Sequence, residues 1–277
     1  MIDFKNKIFV GSDNRKSVFD CEIPVGAKSL IIFVHGYKGY KDWGAWNLMQ
    51  AFFIQNKIGV LKFNMSHNGG TVENPIDFDD LDAFGLNCYS YELYDLNLII
   101  EEAYRLLSSE LDLDIPMHLI GHSRGGGLAI LEGVRNDKIA KIVSWAGISD
   151  IGARFPDSEE ELEDWKRSGV KTVLNGRTNQ EMPHYYSFYE DFIENQERLN
   201  IQGACENNKK PFLQIHGDMD QAVSISEGLM IARWTETEVK IIKGAEHTFG
   251  ARHPWESPVL PEEFIELLES TKEFLED

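Results

Sequence analysis

Hydrophobic positions along the chain follow two alternating rhythms. Short continuous apolar runs end in small or polar residues; Leu30-Ile31-Ile32-Phe33-Val34, closed by His35-Gly36, is the clearest. A run that is apolar at every position suits a strand buried on both faces, in the middle of a parallel sheet. Similar runs occupy 58–63, 117–120, 139–145, 211–215 and 239–242. Between them apolar residues recur at helical spacing. Leu93, Leu96, Ile100, Tyr104 and Leu107 make one stripe. Phe264, Leu267, Leu268, Thr271 and Leu275 make another, with glutamates opposite and Pro261 suited to the first turn. Strand and helix signals in alternation predict an α/β chain with a mostly parallel central sheet flanked by helices. The stretch from Lys7 to Pro24 is read as a two-strand hairpin.

One segment breaks the rhythm. Residues 151–210 carry no strong strand signal, open with an acidic run (Asp157-Ser158-Glu159-Glu160-Glu161-Leu162-Glu163-Asp164), and later hold Trp165, Tyr185, Tyr186, Phe188, Tyr189 and Phe192. A structureless loop of that length is improbable inside a compact domain. The expectation is a helical cap at 151–210, inserted in a core made of 1–150 and 211–277. The acidic run reads as a solvated helix face, and the aromatic residues as packing of the cap on the core, with direct substrate contact as the alternative.

Composition narrows the classes. With 27 lysines and arginines against 46 acids, the formal charge is −19. Nucleic acid and anionic membrane surfaces are repelled on average, so neither is expected as a partner. Cys21, Cys88 and Cys205 are far apart and in no metal-binding spacing, which reads as free thiols in a reducing compartment. No run approaches the roughly 18 apolar residues of a membrane span, and the start has no signal-peptide pattern. A cytoplasmic location is the expectation.

The strongest chemical signal is Gly121-His122-Ser123-Arg124-Gly125, placed between the strand signal at 117–120 and a following helix. A nucleophilic serine needs a tight, strained strand-to-helix turn that lifts its hydroxyl clear of the sheet, and glycine neighbours allow it. A serine hydroxyl also needs a base, and the base an orienting acid. Both types occur after later strand signals: His216-Gly217-Asp218-Met219-Asp220 and Lys243-Gly244-Ala245-Glu246-His247. Asp218 and the remoter Asp150 compete with Asp220 for the acid; His253 and His122 compete with His247 for the base.

The order Ser123, Asp220, His247, with separations of 97 and 27 residues, resembles that of the α/β-hydrolase superfamily. The run His216-Gly217-x-x-Asp220-x-x-Val223 is similar to the acid turn of its dienelactone-hydrolase-like, cinnamoyl-esterase-like and prolyl-oligopeptidase-like branches, where the Asp three residues after the Gly is the acid. His35-Gly36-Tyr37 resembles the family's oxyanion loop. The resemblance, which runs from about Lys28 to the C-terminal helix, implies an α/β-hydrolase fold and a Ser123–His247–Asp220 triad. It also implies an oxyanion hole made by the Tyr37 and Arg124 main-chain N–H groups, with His35 tying the loop to nearby backbone. Dienelactone hydrolases use cysteine where this chain has Ser123, which argues against lactones; the absence of Asp there excludes a dehalogenase.

The expected activity is a serine hydrolase acting on a carboxylic ester of a small or medium acyl or aryl substrate through an acyl-enzyme, with no metal and no organic cofactor. The same residues would serve a thioesterase or an aminopeptidase, and a non-catalytic ligand-binding protein is the rival from another class. Ser66-His67-Asn68-Gly69-Gly70-Thr71 reads as an entrance loop or a plain surface loop.

Overall fold

The chain begins with a hairpin, β1 (Ile2–Val10) and β2 (Lys16–Ile23), at one edge of an eight-stranded sheet. The computed structural model describes residues 2–277. The remaining strands are β3 (Ser29–Val34), β4 (Ile58–Phe63), β5 (Met117–His122), β6 (Ile139–Trp145), β9 (Phe212–Gly217) and β10 (Val239–Ile242). Their order across the sheet is β1-β2-β4-β3-β5-β6-β9-β10; the pairs involving β2 are antiparallel and the others parallel. Every residue of β3, β4 and β5 is buried, which matches their largely apolar runs. Helices α1 (Trp46–Gln55) and α9 (Glu262–Glu276) cover one face. Helices α3 (Tyr89–Arg105), α4 (Arg124–Arg135) and α8 (Ile225–Trp234) cover the other, and the short α2 (Leu81–Leu86) precedes α3.

After β3 the chain moves outward to β4, then returns to place β5 on the opposite side of β3. At such a switch the following loops diverge and leave a crevice beyond the carboxyl ends of the strands, where ligands bind in open α/β sheets. The loops carrying Tyr37 and Ser123 both leave the sheet there.

The loop after β3 is pinned from below by a buried ionic cluster. Lys41 and Lys62, 1% and 0% exposed, share the carboxylates of Asp20 and Asp42. Lys41 Nζ lies 2.9 Å from Asp20, and the Lys41 amide donates to Asn64 Oδ1 at 2.7 Å. Buried charges are tolerated only when fully partnered, and here two cations face two anions.

Residues 151–210 enter between β6 and β9, but they are not wholly helical. Helices α5 (Glu159–Ser168), α6 (Ser187–Glu194) and α7 (Ile201–Glu206) accompany an antiparallel hairpin, β7 (Val170–Asn175) and β8 (Gln180–Tyr185). The strands lack an apolar signature because most of β7 is solvent-exposed and β8 carries Pro183 and polar residues. The Trp165 indole donates to the His184 carbonyl at 2.8 Å, fixing α5 on the hairpin. Phe155, Phe188 and Phe192 pack among the cap and core rings, with Phe188 stacked on Tyr89 of α3. The segment 66–70 is buried, not a surface loop; Asn68 Nδ2 donates to the Gly39 carbonyl and so supports the loop after β3. Among the described residues no helix is long and apolar enough to cross a membrane, and all three cysteines are buried and unpaired.

Candidate active site

Ser123 stands between β5 and α4 with φ 59° and ψ −121°. A non-glycine residue in such a conformation costs on the order of 1–3 kcal/mol, so the surroundings must impose it. Its amide donates to the Trp145 carbonyl at 2.9 Å, and its carbonyl accepts from Gly126 and Ile148 at 2.9 and 3.2 Å. The turn also needs close backbone approach. A Cβ on Gly125 would lie 2.3 Å from the Val34 carbonyl oxygen, and one on Gly36 would lie 2.9 Å from Ser123 Cβ. Only glycine lets the two loops meet at this distance.

Asp220 and His247 are brought together across the ends of β9 and β10. His247 Nδ1 lies 2.7 Å from Asp220 Oδ2, while Asp220 Oδ1 accepts from the Ala222 and Val223 amides at 2.8 and 2.9 Å. Burial alone would raise the Asp220 pKa; hydrogen bonds from His216, His247 and the Val223 amide outweigh it and hold the carboxyl well below the usual range. The Asp220 side chain is 0% exposed and that of His247 23% exposed, so the acid is enclosed and the ring remains accessible.

The competing residues have other partners. Asp218 Oδ1 accepts from the Gly244 amide at 2.6 Å, and Asp150 accepts from the Gly152 amide. His253 Nδ1 accepts from the Gly44 amide at 2.9 Å. His122 Nε2 donates to the His247 carbonyl at 2.8 Å, and burial lowers the His122 pKa to about 3, so a neutral ring supports the His247 backbone.

Ser123 and His247 line one cavity of about 250 Å³, together with Gly36, Tyr37, Trp43, Trp46 and His122. Among the described residues no hydrogen bond joins Ser123 to the His247 ring, and the Tyr37 and Arg124 amides have no acceptor. His35 accepts from the Met65 amide at Nε2 (3.2 Å) and contacts the Gly36 carbonyl through Nδ1 at 2.9 Å, fixing the loop; burial lowers its pKa to about 4.

Several contributors escaped the sequence reading. The Arg124 side chain is buried, paired with Glu92 at 3.2 Å, and lies 4.4 and 4.9 Å from the Tyr37 and Tyr89 ring centres. The Tyr37 hydroxyl is hydrogen-bonded to His184 Nε2 of β8 at 2.7 Å. His216 Nε2 donates to the Val223 carbonyl at 2.9 Å and stands 3.4 Å from Asp220. Lys38, Asn175 and Arg177 also line the cavity, the last two from the β7–β8 hairpin. Adjacency to the motifs could have singled out Lys38 and the Arg124 side chain; no local signal marks Asn175, Arg177 or His184.

No family model matches the chain, and no curated protein matches it in sequence. Solved structures do. Est1E from Butyrivibrio proteoclasticus with ferulic acid bound matches at 17% identity with a TM-score of 0.72, over 97% of this chain and 98% of that one. A soluble variant of the Saccharomyces cerevisiae monoglyceride lipase, in complex with a substrate analogue, matches at 15% identity and TM-score 0.70, over 99% and 96%. The Paleococcus ferrophilus monoacylglycerol lipase matches at 17% and 0.66, over 93% and 99%. Sheet order and these matches together define the class: the chain has the α/β-hydrolase fold.

Proposed function

We propose that the protein is a serine hydrolase that cleaves a carboxylic ester of a small or medium acyl or aryl substrate. The observation that carries this reading is the 2.7 Å contact between Asp220 and His247, made on the ring that shares a cavity with the strained Ser123. Ser123 Oγ attacks the acyl carbonyl as His247 Nε2 takes its proton. Asp220 keeps the Nδ1 proton of His247 in place and stabilises the imidazolium. The Ser–His contact tightens when substrate fills the cavity, as catalytic hydrogen bonds often do.

The unengaged Tyr37 and Arg124 amides receive the oxyanion, whose charge also meets the N-terminal end of α4. His247 then protonates the leaving alcohol, and water releases the acyl group by the same relay. All the groups in this cycle come from the chain itself. Residues 151–210 act as a cap that supplies part of the cavity wall. Ferulic acid in Est1E and the lipases among the structural relatives support an ester substrate, and Trp43, Trp46 and Tyr37 supply aromatic walls suited to an aryl or acyl group.

A fluorophosphonate probe and short p-nitrophenyl esters test the reading. The wild type is expected to label and to hydrolyse, and Ser123→Ala to lose labelling and about 10³-fold or more in kcat. Equal labelling and equal rates in the two proteins would remove Ser123 from the chemistry.

A further inference from the structure

We propose that the cavity selects esters whose acyl or alcohol part carries an anionic group, with Lys38 as the counter-charge; this rests on the esterase reading above. The chain has 46 acids and 27 basic residues, yet the cavity wall contains Lys38 and Arg177 and no Asp or Glu. Charge on this wall is opposite in sign to that of the molecule.

The two cations are not equivalent. Arg177 is paired with Asp77, which also accepts from the Tyr40 hydroxyl at 3.3 Å. The Lys38 ammonium has no hydrogen-bond or ion-pair partner among the described residues; its nearest recorded interaction is with the Tyr37 ring, 5.2 Å from ammonium to centroid. Lys38 is half-buried, and burial by itself pulls its pKa below the ordinary lysine value with no carboxylate opposing the shift. A desolvated ammonium without a counter-charge is unfavourable, and an anionic ligand would supply what the chain does not.

Asn175, from the β7–β8 hairpin, lines the same cavity. Asn175 is 6% exposed; its Oδ1 accepts from the Arg177 amide at 3.2 Å, while its Nδ2 is buried with no partner. Lys38 and Asn175 line a cavity that also holds Ser123 and the aromatic rings of Tyr37, Trp43 and Trp46. That combination fits an ester bearing a carboxylate or a phosphate.

Matched ester pairs test the proposal. Mono-p-nitrophenyl glutarate against p-nitrophenyl pentanoate places the anion on the acyl side; m-carboxyphenyl butanoate against phenyl butanoate places it on the alcohol side. In one pair the anionic ester is expected to have the higher kcat/KM, by roughly tenfold, the scale of one charge-assisted hydrogen bond. Lys38→Met is expected to bring that ratio close to one, and Lys38→Arg to retain most of it. Independently of any variant, benzoate is expected to protect wild-type Ser123 from the fluorophosphonate probe better than benzyl alcohol does.

Ratios at or below one in both pairs, a ratio unchanged by Lys38→Met, or equal protection by benzoate and benzyl alcohol would overturn the anion selectivity. If Ser123 still labels in those experiments, the esterase reading survives that failure. If Ser123 does not label and none of the four esters is cleaved, both readings fall.

Discussion

The strand ends of the central sheet and the hairpin of residues 151–210 both contribute walls to one cavity, and they are held by different forces. Ser123, Tyr37 and Asp220 sit within a few residues of strands whose side chains are almost wholly enclosed, so moving any of them requires disturbing the main core; His247 follows the partly exposed edge strand β10 and is held through Asp220. The hairpin has little core of its own: Leu174 of β7 is 60% exposed, and Val170 and Val173 are also open to solvent. Its attachment to the core combines one apolar anchor, Met182 packed with Tyr40, Phe78 and Phe84, with polar links through Tyr37–His184, Arg177–Asp77, Gln180 to the Phe78 carbonyl, and Tyr185–Asp82. On the proposed mechanism, groups that must hold sub-ångström geometry stand on the rigid part, and groups proposed to select among substrates stand partly on the hairpin. Loops that gate or line a site belong to the low-stability end of a protein by necessity.

The sharpest way to break this contrast is Asp220→Asn. It leaves the shape of the β9 turn intact but loses the charge that orients His247, and kcat is expected to fall by about 10³–10⁴-fold with the melting temperature little changed. Steady-state kinetics beside a thermal melt would decide it; a loss under tenfold would mean that the sheet ends do not carry the rate.

Acidification probes the hairpin. Burial lowers the His184 pKa to about 3, whereas an opened, solvated His184 would titrate near the ordinary value of about 6.5. The open form therefore binds the extra proton, so docking is fully stable above about pH 6.5 and weakens progressively as pH falls towards the docked value. By pH 5.5 local opening is expected to rise on the order of tenfold, read as faster amide exchange in 170–185 than in β3 or β5 after correction for intrinsic rates. Uniform acceleration across sheet and hairpin would mean that the two regions open as one unit.

The smallest effect is expected from Asp191→Ala, which removes the acceptor of the Ser90 amide at the start of α3 (3.1 Å). A single part-buried bond of this kind is worth about 1 kcal/mol, and ester hydrolysis should stay within about twofold of wild type. A large rate loss would show that cap attachment and sheet-end geometry are coupled.

The fold was legible because β3, β4 and β5 are buried on both faces and are mostly apolar, with Lys62, His118 and His122 as buried exceptions. The placement of Ser123 and Tyr37 at strand ends was legible for a related reason: glycines at 36, 121 and 125 mark places where backbone approaches backbone. The hairpin was not legible. A strand wetted on one side and interrupted by Pro183 leaves neither an unbroken apolar run nor clean alternation. Arg177 and Asp77 are distant in sequence, and no periodicity encodes such a contact. The segment 66–70 misled for the opposite cause. Its polar residues are interior, satisfied by partners such as the Ser66 hydroxyl with His67 Nδ1 (2.9 Å) and Asn68 with Gly39 (3.2 Å), and polarity alone reads as surface.

The contorted backbone at residue 123 sets the molecule's two demands against each other. Selection for heat tolerance alone would favour glycine there, relaxing the turn while discarding the attacking hydroxyl. A strained link in the folded chain is thus one that, on the proposed mechanism, no working copy can give up, and added robustness has to be found elsewhere in the sheet and its helices.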